Sequence, residues 1–300
     1  MLQNYQDAMA IVNKFGKPDF FITMTCNPKW REIEENLLPG QQASDKPDIC
    51  ARVFNNKKDC LINLIVKQKF FGEIAAFVYV IEFQKRGLPH VHMLITLKYN
   101  FKIRTPQIVD KYISAETPDP CENRILHDIV MRHMIHGPCG DWCLIDGKCS
   151  KHYFEPYLEE TRMDEDAYYR RRDNGKSFER PGRYIVDNRY VVPYCPILSI
   201  IFNCHINIEV VSSIKLVKYM YKYIYKVHDA AAITIESITE NIIDHDEICN
   251  FIEAHYVGPV EASWRILEKN LQDKSHTVIR LPVHLSKIAA FVYVSTKCYN

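Results

Sequence analysis

Along the first hundred positions the apolar residues change period twice. Ala8, Ile11, Val12 and Phe15 recur at helical spacing, and the run stops at Gly16 with Pro18 just beyond, as helix ends do. Asp19 then leads into FFITMT at 20–25, closed by Asn27-Pro28. Alternation there puts Phe21, Thr23 and Thr25 on one face of a strand and Phe20, Ile22 and Met24 on the other. Trp30 and Ile33 begin a short helix, and Val53, Leu61, Leu64 and Ile65 mark a longer one over 49–68. Two runs of strand character follow, 77–83 and 90–97, around the turn-forming segment 85–89 with Gly87 and Pro89, which predicts a β-hairpin. Further on the pattern gives helices around 106–114 and 122–136, then a turn-rich stretch at 137–149. A serine-capped helix starts at Ser212 with SSIKLVKYMYKYIYKVHD.

The hairpin has chemistry on one face. Side chains two apart on a strand point the same way, so His90 and His92 project together while Val91 and Met93 turn into a core. Glu82 and Gln84 share a face of the partner strand. If Gln84 lies opposite His90, Glu82 lies opposite His92, and two imidazoles converge with an oxygen ligand. Such a set suits Mg²⁺, Mn²⁺ or Zn²⁺ and leaves coordination positions open for substrate. Both histidines are expected to point out of the core, so that their loss should cost little stability. The chain has 12 histidines in 300 residues, so a lone His-x-His carries little weight until other parts of a site join it.

Composition narrows the partners. A hydrophobic share of 47% with 25% charged residues is that of an ordinary soluble globular protein, and a net charge of +1 gives no global basic field. Nucleic-acid binding would have to come from local patches. No apolar run is long enough for a bilayer and the N-terminus lacks a secretory apolar core. An intracellular chain is therefore expected, with its 11 cysteines reduced.

Two segments carry further candidate chemistry. Cys139, Cys143 and Cys149 crowd the turn-rich stretch, with His136 and His152 beside them. Cys139, Cys143, Cys149 and His152 form a candidate structural zinc set, although C-x₃-C-x₅-C is not a common finger spacing and the fourth ligand is open; the alternative is a reduced-thiol loop. The same stretch, GDWCLIDGKC, is no phosphate loop: six residues separate Gly140 from Gly147 where four are needed, and Cys149 stands where Ser or Thr should be. In the window 162–189, Arg170, Arg171 and Arg172 run together near Tyr168, Tyr169 and Phe178. That is either a phosphate-contacting segment with stacking aromatics or a solvated loop whose six acids pair its basic residues.

The helix from Ser212 separates into two faces. Ile214, Val217, Tyr221, Ile224 and His228 would pack on a sheet; Lys215, Tyr219, Lys222, Tyr223 and Lys226 fall opposite. Tyr219 and Tyr223 are one turn apart among lysines, and ammonium groups favour the phenolate. The alternative is a basic helix with surface tyrosines. With the histidine hairpin, however, these are the parts for displacing a phosphate ester with a tyrosine oxygen.

Several stretches carry a resemblance: FFITMTCNPKW at 20–30, EFQKRGLPHVHMLI at 82–95, MIHGPCGDWCLIDGKCSK at 134–151, YYRRRDNG at 168–175, VVPYCPIL at 191–198, HINIEVVSSIKLVKYMYKYIYK at 205–226 and EASWRI at 261–266. Together they resemble the replication-initiator (HUH endonuclease) domain of Helitron rolling-circle transposons. The resemblance implies an α+β fold: a ferredoxin-like core with a central antiparallel sheet flanked by helices, and a Cys-rich insertion. That core would occupy 1–230, with the insertion at about 134–190 and a helical extension over 231–300. It implies a Mg²⁺ or Mn²⁺ site at His90 and His92, completed by Gln84 or Glu82, Gln84 being preferred as nearer the turn. Tyr219 and Tyr223 would be alternating nucleophiles, with Lys222 and Lys226 stabilising charge and Arg170, Arg171 and Arg172 on the DNA. The implied partner is single-stranded DNA at transposon ends, in the nucleus. Two departures stand out. Val227 follows Lys226 where the family has glycine, and the 300 residues hold no helicase domain, so unwinding would fall to another chain or be lost. The alternative to an active enzyme is a truncated, catalytically idle DNA-binding relic.

Overall fold

The computed structural model of the chain describes residues 2–83, 87–137, 139, 143–150, 153–164, 167–180, 184–211, 230–231, 254–255, 257–280 and 292–296. Helix α1 (Leu2–Phe15) ends at Gly16, whose φ of 84° lets its N–H turn back onto the Val12 carbonyl at 2.8 Å. Strand β1 (Phe20–Thr25) has the expected bounds. Helix α2 (Arg31–Glu34) is short, and α3 (Pro47–Ile62) starts on a proline, where a missing N–H costs nothing, and runs on into a π turn, Asn63–Lys67. Together those two cover the predicted 49–68 helix. The hairpin is β2 (Ile74–Phe83) and β3 (Pro89–Leu97).

Helices α4 (Pro106–Tyr112) and α5 (Arg124–His133) follow, the second capped by Asn123, whose side chain accepts from the Leu126 N–H at 3.0 Å. Within the Cys-rich stretch, β4 (Leu144–Ile145) and β5 (Lys148–Cys149) make a small hairpin. Then come α6 (Pro196–Phe202), β6 (Ile206–Val210), α7 (Pro259–Ile266) and β7 (Gln272–Lys274). No helix among the described residues is long and apolar enough to cross a membrane.

The architecture is mixed α/β: one five-stranded sheet, order β6-β1-β3-β2-β7, with every pair antiparallel. Period-2 alternation gives it two distinct faces. Phe20, Ile22, Met24, Val91, Met93, Ile95, Tyr79, Ile81, Ile206 and Ile208 form the main core with Phe54 and Leu61 of α3 and Trp264 of α7. Trp264 is fully buried, its ring 6.1 Å from those of Phe54 and Phe83. Residues 259–274, expected as part of a helical extension, thus supply an edge strand and a central core side chain.

A second core gathers Leu126, Val130, Met134, Ile135, Val186, Val191 and Tyr194. It abuts the β6 edge: Tyr194 is bridged to Ser114 on one side and to Asn207 on the other, and its hydroxyl donates to the Glu116 carbonyl at 2.9 Å.

The hairpin register differs from expectation by two residues. Glu82 pairs with His90 and Val80 with His92, because Pro89 joins the ladder opposite Phe83. Gln84 lies outside the described residues, as do His152 and the tyrosine helix with Tyr219, Lys222, Tyr223 and Lys226.

Candidate functional site

The sheet face opposite the main core carries the polar row that alternation forecast. Thr25 pairs with His90, which pairs with Glu82; Asn207 pairs with Thr23, which pairs with His92. Thr25 Oγ1 lies 2.8 Å from His90 Nδ1, and Thr23 Oγ1 lies 3.0 Å from His92 Nδ1. His92 Nε2 donates to Glu82 Oε2 at 3.0 Å, a diagonal reach across the ladder. The Phe21 ring stacks parallel to His92, 5.7 Å between centroids and 3° between planes. On the neighbouring strand Asn207 Nδ2 donates to Glu209 Oε1 at 2.7 Å.

The expectation that these histidines stand clear of packing is corrected. They do point away from the main core, yet His90 is only 5% and His92 8% exposed. The reason is that β3 is the middle strand, so β1 and β2 wall each ring on both sides. Glu82 is an oxygen ligand candidate seen against a histidine, and Gln84 lies outside the described residues.

A different cluster forms on the second core. The His136 N–H donates to the Tyr190 carbonyl at 2.8 Å, and its ring stacks on Tyr153 at 4.1 Å. The sulfurs of Cys149 and Cys139 lie 3.2 and 3.4 Å from His136 Nε2. Among the described residues, His136, Cys139 and Cys149 are the one group of three His, Cys, Asp or Glu side chains whose ligand atoms all lie within 4.8 Å of one another. His136 faces the cysteines; His152, the fourth position expected from the sequence, falls outside the described residues. Desolvation, then contact with the Cys143 and Cys149 thiols, pushes the Cys139 thiol up to about 12. Gly137, at φ 113°, must stay a glycine, since a Cβ there would sit 2.6 Å from the Tyr184 hydroxyl.

Residues 1–95 match the model of the Helitron helicase-like domain at N-terminus. Over those residues the chain is similar to the Helitron family. No curated protein matches it. The Helitron match holds β1, α3, β2 and β3 as far as Ile95, and with them Thr23, Thr25, Glu82, His90 and His92. The Cys-rich segment, the arginine run and the tyrosine stretch lie beyond the matched residues.

The arginine run splits by burial. Arg171 is 4% exposed and donates to the carbonyls of Asn188, at 3.1 Å, and Val191; its task is to hold the second core's outer loop. Arg172 forks onto Glu116 at 2.9 Å through both Nε and Nη2, and Arg170 lies 3.7 Å from Asp110 and 3.8 Å from Glu116. Sequence reasoning missed the threonine pair behind the histidines and the place of His136 against the thiols. The H-x₂-C spacing of His136 and Cys139 was the signal for the second.

Proposed function

We propose that the chain is the nicking and strand-joining domain of a Helitron-type transposon, acting on single-stranded DNA with a divalent metal, Mg²⁺ or Mn²⁺, held at His90 and His92. The observation that carries this reading is the buried histidine pair on the central strand of the Helitron-matched segment, with Glu82 against it and a threonine hydroxyl on each Nδ1. The donor set fits: two imidazoles and a carboxylate suit a divalent cation that keeps open positions. A hydroxyl both donates and accepts, so Thr23 and Thr25 hold their rings in either tautomer, which orients Nε2. Glu82 or Gln84 completes the set. A cation bound there would supply Lewis-acid polarisation of a scissile phosphate.

The chain's own part is displacement. A tyrosine oxygen bonds to phosphorus as the bond to the 3′-oxygen breaks, leaving a 5′-phosphotyrosine link and a 3′-hydroxyl that takes up the proton the phenol gave up. By resemblance Tyr219 and Tyr223 are the nucleophiles, with Lys222 and Lys226 beside them, and Arg170 and Arg172 reach the DNA backbone.

Labelled single-stranded DNA incubated with the protein and Mn²⁺ should give a covalent adduct that survives a denaturing gel. Tyr219→Phe or Tyr223→Phe should impair cleavage or transfer, and the double variant should form no adduct. Full cleavage by His90→Ala would remove the metal site from the mechanism. DNA retention without any adduct would make the chain the idle binding relic instead.

A further inference from the structure

The Cys-rich segment brings together ligand chemistry that strand nicking does not use. His136 Nε2 meets two sulfurs at once, at 3.2 and 3.4 Å. A neutral ring nitrogen has a single in-plane hydrogen-bonding position, so two thiols converging on it exceed what direct hydrogen bonds can satisfy. A cation between the three atoms resolves the excess. Tetrahedral zinc, with Zn–S near 2.3 Å and Zn–N near 2.0 Å, sets sulfur and nitrogen about 3.6 Å apart, close to what these residues already show.

The backbone has arranged the ligands in two pairs. His136 and Cys139 lie on either side of Gly137, whose φ is 113°, as H-x₂-C. Cys143 and Cys149 flank the β4–β5 hairpin as C-x₅-C, whose two turn residues, Asp146 and Gly147, both have positive φ (50° and 74°). That is the two-residue turn whose twist suits a hairpin. Leu144 pairs with Cys149, and the Ser150 N–H donates to the Cys143 carbonyl at 2.8 Å, so Cys143 stands one ladder step from Cys149. Nε2 of His136 and the sulfurs of Cys139 and Cys149 lie within 4.8 Å of one another, and Cys143 stands on the same hairpin as Cys149.

We propose that His136, Cys139, Cys143 and Cys149 bind one zinc ion as a structural centre, distinct from the His90/His92 face, and that this centre pins the 143–150 hairpin to the second core. The hairpin needs such a pin. Its strands are two residues each, and its apolar side chains Leu144 and Ile145 are exposed, so it has almost no core of its own. On binding, the three thiol protons pass to solvent, and the three thiolates with Zn²⁺ carry one net negative charge. The Arg180 guanidinium, donating to the Gly137 carbonyl at 3.4 Å, lies close enough to offset it.

The test is metal content of the whole chain, purified without chelator and checked for folding by circular dichroism. About one zinc per chain is expected, unchanged in His90→Ala and His152→Ala and lost in Cys149→Ser. His136→Phe, which keeps the ring stack on Tyr153, should lose zinc, and His136→Cys should retain it. In the Co²⁺-loaded protein a thiolate-to-metal charge-transfer band should appear and vanish in Cys149→Ser. Folded wild-type protein that contains no zinc and takes up neither Zn²⁺ nor Co²⁺ would overturn the proposal, as would zinc that departs with His90 and stays after Cys149→Ser.

Discussion

The two histidine clusters of this chain are held in opposite ways. His90 and His92 ride the central strand of a five-stranded sheet, each with a threonine hydroxyl behind it and a strand on either side. Their positions follow from backbone pairing and from the core beneath. His136 and the cysteines sit beside Gly137 and on a two-residue ladder, with the ring stack on Tyr153 and the backbone hydrogen bond to Tyr190 among what steadies them. Chemistry mounted on strands is pre-organised before any ion arrives, whereas a cluster mounted on turns depends on its ion for its shape.

The sharpest way to break that comparison is to weaken the core beneath the first cluster. Trp264→Ala removes a fully buried ring between α3 and β2 and should cost about 3–5 kcal/mol in urea unfolding. Zinc content of the protein that stays folded should not change. A cost below about 1 kcal/mol would mean that α7 is not part of the frame carrying the histidines.

His92→Ala comes next. It deletes the stack on Phe21 and leaves Thr23 and Glu82 without their ring partner, for a loss of about 1–3 kcal/mol by denaturant titration. An unchanged midpoint would show that this ring stands free of packing, as the sequence alone suggests.

Acid should separate the regions. Burial, and after it the neighbouring Arg132 charge, holds the His133 imidazole down at about 4 against an ordinary 6.5. The unfolded chain takes up that proton first, so the stabilisation is complete above about pH 6.5 and is lost as pH falls through about 4. Amide exchange in α5 should therefore quicken in that window while β1 and β3 stay protected. Equal acceleration in both would dissolve the distinction.

The smallest effect is expected from Thr23→Val, which keeps the shape and removes the hydroxyl on His92 Nδ1. A loss of about 0.5–1.5 kcal/mol should appear in thermal unfolding, with a larger relative loss of the proposed nicking, since the ring loses its orientation. Unaltered nicking would mean that the threonine only fills space.

What the sequence discloses here follows from the range of the interactions involved. The hairpin, its polar face and β1 are local patterns, readable from Gly87, Pro89 and strict alternation. Register is less local: Pro89 enters the ladder opposite Phe83, which moves Glu82 from His92 to His90, and nothing in the turn composition dictates that. Burial of the histidines is not local at all, since Phe21, Thr23 and Thr25 arrive from a strand some seventy positions away. Arg171 makes the same point. Within an arginine run it looks like a surface cation, and only the fold shows it bonding the carbonyls of Asn188 and Val191. Trp264 is tied to the core by Phe54 and Phe83, neither of which is near it in the chain.

The strand order also dictates a timetable for synthesis. The middle three strands are complete once residue 97 has emerged, but their outer neighbours are not made until residues 206–210 and 272–274. At about 5–20 residues per second, the nascent sheet waits on the order of ten seconds with both margins open. Those margins are FFITMT, with no charge, and IAAFVYVIEF, with a single glutamate. Uncovered apolar edges of this kind pair readily with other chains. The yield of native protein should therefore fall when many ribosomes make it side by side, and recover when a holdase occupies the open edges until the closing strands are translated.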